Sequence, residues 1–182
     1  MVNIYKLKLT NLQQEILRLL FVKAGTPLNA RGVAKLLGVS QPAVSKALPR
    51  LEKENLAKVS KDKASKRLSI VLNRDNPLAV WLKRADNLKQ IYESGLAQSL
   101  YDNFPGATVI LFGSYAFGED TASSDIDLAV IGSKKKQVEL SEFGKSLGRE
   151  IVINYYKSFN SIDKHLLNNI LNGITLKGSV NL

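Results

Sequence analysis

Two short segments of the C-terminal half carry residue types suited to phosphate chemistry. Gly113-Ser114 follows the apolar run 108–112, and ten residues separate it from the pair Asp125 and Asp127. Glycine lets a backbone turn approach a phosphate closely, and a serine hydroxyl can donate to a phosphate oxygen. Residues i and i+2 of a strand share a face, about 6.6 Å apart. Asp125 and Asp127 are therefore expected to point the same way, and such paired carboxylates favour a divalent cation.

The residues between and after these carboxylates predict a strand over 125–131. Ile126, Leu128 and Val130 are expected to face a core while the two aspartates occupy the other side. Mg²⁺, or Mn²⁺ in its place, needs few protein ligands when phosphates and water complete its coordination. Two such ions about 3.5–4 Å apart suit in-line attack on an α-phosphate, with a hydroxyl or water as the acceptor.

The stretch 111–131, LFGSYAFGEDTASSDIDLAVI, resembles the minimal nucleotidyltransferases of the DNA polymerase beta superfamily. The resemblance covers roughly residues 95–178. It implies that Gly113 and Ser114 hold the triphosphate and that Asp125 and Asp127 hold the metal ions. It also implies transfer of a nucleoside monophosphate from a nucleoside triphosphate, with ATP the expected donor.

Two positions depart from the family pattern. Phe117 stands where relatives usually carry a basic residue. A third carboxylate, which the family places on a later strand as metal ligand and general base, is replaced by Val152 in the expected strand 150–156. Glu150, on the same face two residues earlier, is our candidate catalytic base. The alternative is an ordinary exposed glutamate at a strand edge, which would leave a domain that binds nucleotide without turnover.

The N-terminal half differs sharply in charge from the rest of the chain. Residues 1–90 contain 18 Lys and Arg against 6 Asp and Glu, whereas residues 91–182 contain 8 against 10. The whole excess of +10 therefore comes from the first half. Such asymmetry favours a polyanionic partner for that half, although basic surfaces are often only solvated.

Capping signals in the N-terminal half predict three helices. Thr10 and Gln13 form a possible capping box for the first helix. Asn29 can cap a second helix that ends at Leu37, and Ser40 can cap a third. The short turn at Gly38 spaces the second and third helices as in a helix-turn-helix. A β-hairpin is then expected, with strands near 56–60 and 68–72.

Three helices followed by a basic hairpin resemble the winged-helix domains of prokaryotic transcription regulators, over about residues 9–72. The resemblance implies binding to double-stranded DNA, with the polar face of the third helix in the major groove. The candidate groove residues are Ser40, Gln41, Ser45 and Lys46. Candidate phosphate contacts are Arg50 and, in the hairpin, Lys61, Lys63, Lys66 and Arg67. The alternative for Gln41 and Ser45 is a solvated helix face.

These patterns predict an α+β chain: a winged-helix domain at 1–75, a connecting helix at 76–94 and a minimal nucleotidyltransferase domain at 95–182. The last would combine a small mixed β-sheet with helices near 96–103, 138–147 and 162–171. The connecting helix has an apolar stripe that includes Trp81. We expect this stripe to serve a homodimer, with packing inside one chain as the alternative.

The composition also bears on the expected cellular compartment and on membrane partners. The chain has no cysteine, which excludes disulfides and suits a cytoplasmic protein. It contains no apolar run long enough for a membrane span, so no membrane partner is expected. We expect a DNA-binding regulator that transfers AMP to an unidentified hydroxyl, for which a protein acceptor such as a toxin is one candidate. The alternative is a catalytically degenerate regulator that senses nucleotide.

Overall fold

The computed structural model describes residues 7–61 and 68–181, and its architecture is α+β. The chain divides into two compact units, Met1–Ala79 and Val80–Leu182. The division falls in the first turn of the predicted connecting helix. Each unit has its own buried core and is described separately.

The first unit contains three helices and a hairpin in the order expected of a winged helix. Their bounds are α1 Asn11–Val22, α2 Ala30–Leu37, α3 Gln41–Lys53, β1 Ala57–Lys61 and β2 Leu68–Leu72. The strands pair antiparallel, with Ala57 opposite Leu72. The hairpin tip lies outside the described residues.

The predicted helix caps are confirmed. The Thr10 hydroxyl accepts from the Gln13 amide at 3.4 Å, and the Thr10 amide donates to the Gln13 side chain at 2.9 Å. Asn29 accepts from the Gly32 amide at 2.8 Å, and Ser40 accepts from the Ala43 amide at 3.3 Å. These side chains satisfy amides that a helix start leaves unpaired, so they fix where each helix begins.

A backbone bridge that the sequence did not predict ties the hairpin to the segment between α1 and α2. The Leu28 amide donates to the Ile70 carbonyl at 2.9 Å, and the Ile70 amide returns a bond of 2.7 Å. The core beneath it contains Ile16, Leu20, Val33, Val44, Leu48, Leu51, Leu56 and Ile70. The helices and the hairpin thus share one apolar interior.

The second unit combines a four-stranded sheet with helices on both faces. Its elements are α4 Pro77–Glu93, which spans the division, α5 Leu96–Asn103, β3 Thr108–Phe112, α6 Gly113–Phe117, β4 Ile126–Ile131, α7 Ser141–Leu147, β5 Ile151–Tyr156, α8 Lys164–Leu171 and β6 Ile174–Lys177. A short 3₁₀ helix, Phe159–Ser161, precedes α8.

The sheet order is β5-β4-β3-β6. β4 and β5 run parallel, and the other two pairs are antiparallel. β6 was not predicted from the sequence, because four residues directly after a helix give too short a pattern to read. The mixed sheet itself is as predicted.

The alternation predicted for β4 holds only at its beginning. Ile126, Leu128 and Val130 are buried in one core, as expected. Ala129 and Ile131 are also buried, in a second core that includes Phe159 of the 3₁₀ helix and Ile170 of α8. The polar face is therefore confined to the start of the strand, because helical residues cover the rest of that face.

Across the described ranges 7–61 and 68–181, no helix is both long enough and apolar enough to span a bilayer.

Candidate functional site

The turn at Gly113 joins the two halves of the predicted site. β3 ends at Phe112, whose register partner across the antiparallel pair is Asp127 of β4. Gly113 follows with a φ of +71°, a left-handed conformation that glycine adopts without strain. A Cβ atom on Gly113 would lie 2.6 Å from the Asp127 Oδ2 atom. The turn and the carboxylate are thus in direct contact, and Ser114 lies in the first turn of α6.

The two aspartates differ in their surroundings. Asp125 is exposed and immediately precedes β4, whereas Asp127 is half-buried within it. Burial, and secondarily the negative charge of Asp125, raise the pKa of the Asp127 carboxyl above its ordinary value. The pair is therefore close enough to interact, and in the protein alone its two negative charges are mutually unfavourable.

The parallel pairing of β4 with β5 places Val152 opposite Asp127. An apolar side chain thus occupies the sheet position next to the half-buried carboxylate, as the sequence comparison with the family suggested. Glu150 lies just before β5 and is exposed, and its carbonyl accepts from the Ile126 amide at 2.8 Å. Its backbone is therefore fixed beside the start of β4, while its role as base remains a prediction.

Within the part of the chain that the structure describes, no group of three or more His, Cys, Asp and Glu side chains is arranged to hold a metal ion. Asp125 and Asp127 are accordingly the candidate ligands as a pair. Carboxylate oxygens are the donors that Mg²⁺ prefers, and two of them suffice when phosphates supply further ligands. The residues present fit such an ion.

Phe117, the first departure from the family pattern, contacts a cation from another element. The Arg84 guanidinium of α4 lies 5.8 Å from the centre of the Phe117 ring. Gly118, the next residue, has a φ of +75°, and a Cβ there would lie 2.6 Å from the Val80 carbonyl oxygen. The end of α6 is therefore pressed against the backbone of α4, and a positive charge stands beside position 117 after all.

A buried polar network that sequence reasoning missed lies behind the candidate site. Asp120 accepts from Lys83 and, at 2.7 Å, from Asn87 of α4. Arg149 donates to the other oxygen of Asp120 at 3.4 Å. Lys83 and Asp120 are each 1% exposed. The spacing of Lys83 and Asn87, four residues apart on one helix face, was the available signal, but lysines are seldom fully buried.

The predicted groove residues lie at the N-cap of α3 and on the outward face of that helix. Ser40, Gln41, Ser45 and Lys46 are exposed, whereas Val44, Leu48 and Leu51 point into the core. The Ser40 hydroxyl also caps the helix. The sequence pattern thus separates the polar and apolar faces of α3 as expected.

The residues predicted to contact phosphates differ in burial and in whether they are already paired. Arg50 is half-buried and forms an ion pair of 2.8 Å with Glu54, so its charge is already balanced in the folded chain. Lys61 is exposed at the end of β1. Lys63, Lys66 and Arg67 lie outside the described residues.

Comparison with protein families supports the C-terminal resemblance. Residues 93–172 match the family model described as a nucleotidyltransferase domain. The match contains the turn at Gly113, both aspartates and Glu150. The resemblance read from the sequence is confirmed over these residues. No curated protein is detectably similar to the chain.

Several solved structures are similar to part of this chain. The adhesin competence repressor of Streptococcus pyogenes is 25% identical, with a TM-score of 0.43, over 57% of this chain and 72% of that one. The MepR–DNA complex of Staphylococcus aureus is 25% identical, with a TM-score of 0.38, over 52% and 81%. A zinc-responsive MarR family member of Lactococcus lactis is 23% identical, with a TM-score of 0.41, over 58% and 70%. These scores are low, and the winged-helix description rests on the helices, the hairpin and the Leu28–Ile70 bridge.

Proposed function

We propose that the C-terminal unit transfers a nucleoside monophosphate, AMP in our expectation, from a nucleoside triphosphate to a hydroxyl acceptor. The observation that carries the proposal is the contact between the turn at Gly113 and Asp127. It brings a backbone suited to phosphate against a carboxylate suited to a metal ion, inside a segment that matches a nucleotidyltransferase domain.

Each residue of the site has a separate task in this proposal. Gly113 leaves room for a phosphate to approach the backbone, and Ser114 offers a hydroxyl to a phosphate oxygen. Asp125 and Asp127 would hold Mg²⁺ or Mn²⁺, which when bound offsets the charge of the carboxylates and of the triphosphate. Burial raises the pKa of Asp127 because a negative charge is unfavourable at that position. A bound cation would compensate that charge.

Glu150 is the proposed acceptor of the proton that leaves the attacking hydroxyl. Its backbone is hydrogen-bonded to Ile126, between the two aspartates in sequence. Its side chain is exposed, so a bound acceptor could reach it. A protein hydroxyl, such as that of a toxin partner, fits an acceptor site open to solvent.

A second candidate function is a nucleotide-sensing regulator without turnover. The observation that favours it is the apolar Val152 opposite Asp127, at the position where a third carboxylate would complete the site. In that case the triphosphate would bind and change DNA affinity, and no product would form.

The N-terminal unit is proposed to bind double-stranded DNA through the exposed polar face of α3. Ser40, Gln41, Ser45 and Lys46 would meet base edges, while Lys61, Lys63, Lys66, Arg67 and Arg50 would contact phosphates. Arg50 would first have to exchange Glu54 for a phosphate. A homodimer that reads two half-sites, in the cytoplasm, is the assembly we propose.

The test is incubation of the purified protein with Mg²⁺ and each α-labelled nucleoside triphosphate, with and without host lysate. We expect wild type to transfer label from ATP and Asp125→Ala/Asp127→Ala to transfer none. Asp102→Asn, which removes an exposed carboxylate on α5, is the matched control and should transfer label normally. If triphosphate binds to wild type but no label moves, and DNA affinity changes with nucleotide, the sensing function replaces the transferase.

A further inference from the structure

The network around Asp120 connects three segments that carry the candidate site. Asn87 donates both to Asp120 and to the Tyr115 carbonyl of α6, the latter at 2.9 Å. Arg149 donates to Asp120 and also to the carbonyls of Ala122 at 3.2 Å and Gly148 at 3.0 Å. The helix that follows the phosphate turn, the loop before Asp125 and the entry to β5 are therefore joined through one carboxylate.

The loop between Asp120 and Asp125 is further closed on itself. The Thr121 amide donates to the Ser124 hydroxyl at 2.9 Å, and the Ser124 amide donates to the Thr121 carbonyl at 3.2 Å. Arg149 holds the Ala122 carbonyl inside this turn. Because the turn ends directly at Asp125, the position of that carboxylate follows from the position of Asp120.

We propose that Asp120 is the positioning residue of the candidate site. Its buried carboxylate, held by Lys83, Asn87 and Arg149, fixes the 121–125 turn so that Asp125 stands near Asp127, and fixes the entry to β5, where the Glu150 backbone is bonded to Ile126. The effect of Asp120 on catalysis rests on the proposed transferase function. The structural part of the inference, that Asp120 fixes the turn, concerns the protein without metal or nucleotide.

Asp120 acts on the candidate site through the position of the 121–125 turn more than through its own charge. The cations Lys83 and Arg149 are directed at Asp120 and at backbone carbonyls, whereas the pKa of Asp127 responds to burial and to Asp125. Hydrogen-bonded buried polar networks rigidify the segments that they join, and sites depend on such support for their accuracy. Removing the Asp120 charge should therefore loosen the turn first.

Hydrogen exchange on the metal-free protein tests the structural part. In Asp120→Asn we expect the amides of residues 121–126 to exchange faster by about tenfold or more relative to those of α5 in the same molecule. Ile170→Val, which trims a core that contains no network residue, is the control for general destabilisation and should leave that ratio unchanged. An unchanged ratio in Asp120→Asn would overturn the proposal.

A double variant separates positioning from simple stability. Asp120→Asn leaves Lys83 buried opposite a neutral group, and adding Lys83→Met removes that unfavourable charge. We expect the double variant to regain thermal stability while residues 121–126 still exchange fast and Mn²⁺ binding stays weaker by about tenfold. Recovery of stability, slow exchange and Mn²⁺ affinity together would show that Asp120 supports only the fold.

Kinetics connect the inference to the transferase. If wild type turns over, the double variant should lose about tenfold or more in kcat with a change in KM for ATP below about threefold, because Gly113 and Ser114 remain in place. If wild type neither binds Mn²⁺ nor transfers label, the proposed function fails. The exchange ratio would still decide whether Asp120 holds the turn.

Discussion

At Gly113, the backbone conformation and the contact with the Asp127 carboxylate both require a residue without a side chain. The residue has a left-handed φ, and the space where a Cβ would stand is occupied by a carboxylate oxygen of Asp127. Any side chain would therefore both strain the turn and displace Asp127. The single position decides whether the turn and the carboxylate can touch.

Gly113→Ala should destabilise the C-terminal unit by about 1–2 kcal/mol from the left-handed backbone alone, and should also weaken Mn²⁺ and nucleotide binding by displacing Asp127. Gly106→Ala is a matched control, because Gly106 has a φ of +75° with nothing near its would-be Cβ. Denaturant unfolding and Mn²⁺ titration of both variants provide the comparison. Equal Mn²⁺ binding in the two would contradict the proposed contact.

The raised pKa of Asp127 predicts a dependence of stability on pH. Folding favours its protonated form, so its contribution to stability is fully present below the unfolded pKa and is lost as pH rises through the folded pKa. Asp127→Asn, always neutral, should therefore be more stable than wild type near pH 7 without metal, by less than about 1 kcal/mol after solvent screening. The gain should shrink as pH falls below the folded pKa of Asp127 and vanish below the unfolded pKa. Melting curves in chelator at several pH values measure it, and a gain that grew on acidification would refute the sign.

Among the elements, helices with strong local signals were predicted best. Thr10 and Ser40 mark the starts of α1 and α3 because their side chains satisfy the first free amides of the helix. The Leu28 bridge and β6 were not predicted, because their pairing is decided by contacts distant in sequence. For the same reason the pairing of Lys83 with Asp120, 37 residues apart in sequence, was not predicted.

Element α3 carries the test of DNA binding. Lys46→Ala should weaken binding to duplex DNA and lower the slope of log affinity against log salt by up to about 1, because one cation is lost from the face that enters the major groove. Lys89→Ala removes another exposed lysine, which is paired with Glu93 on α4 at 3.5 Å, and should leave both quantities unchanged. Titrations at several salt concentrations measure affinity and slope together. Identical slopes for Lys46→Ala and wild type would place the contact surface elsewhere.

At the scale of the whole molecule, each unit has its own core and a different charge. Leu48 is buried in the first unit and Leu100 in the second. We expect each substitution to alanine to cost about 2–5 kcal/mol and to lower mainly the thermal transition of its own unit. Calorimetry on wild type and both variants would resolve this. A single transition that both variants lowered equally would mean that the chain unfolds as one cooperative body.

The candidate site could be predicted in part because its two motifs are local. Gly113, Asp125 and Asp127 lie within 15 residues of sequence and are brought together by adjacent strands. The residue that would act as the third carboxylate could not be identified from the sequence in the same way. Glu150 and Val152 are brought to the site by the parallel pairing of β5 with β4. That pairing depends on the helix and loops between them.

The antiparallel pairing of β3 with β4 has a consequence for the order of assembly. Closing a loop this short costs little chain entropy, so Gly113 and Asp127 can meet early in folding. The parallel addition of β5 must bring its strand back across α7, which makes it a slower event. The phosphate turn and the paired carboxylates would then form as a nucleus, and Glu150 would join a site that already exists.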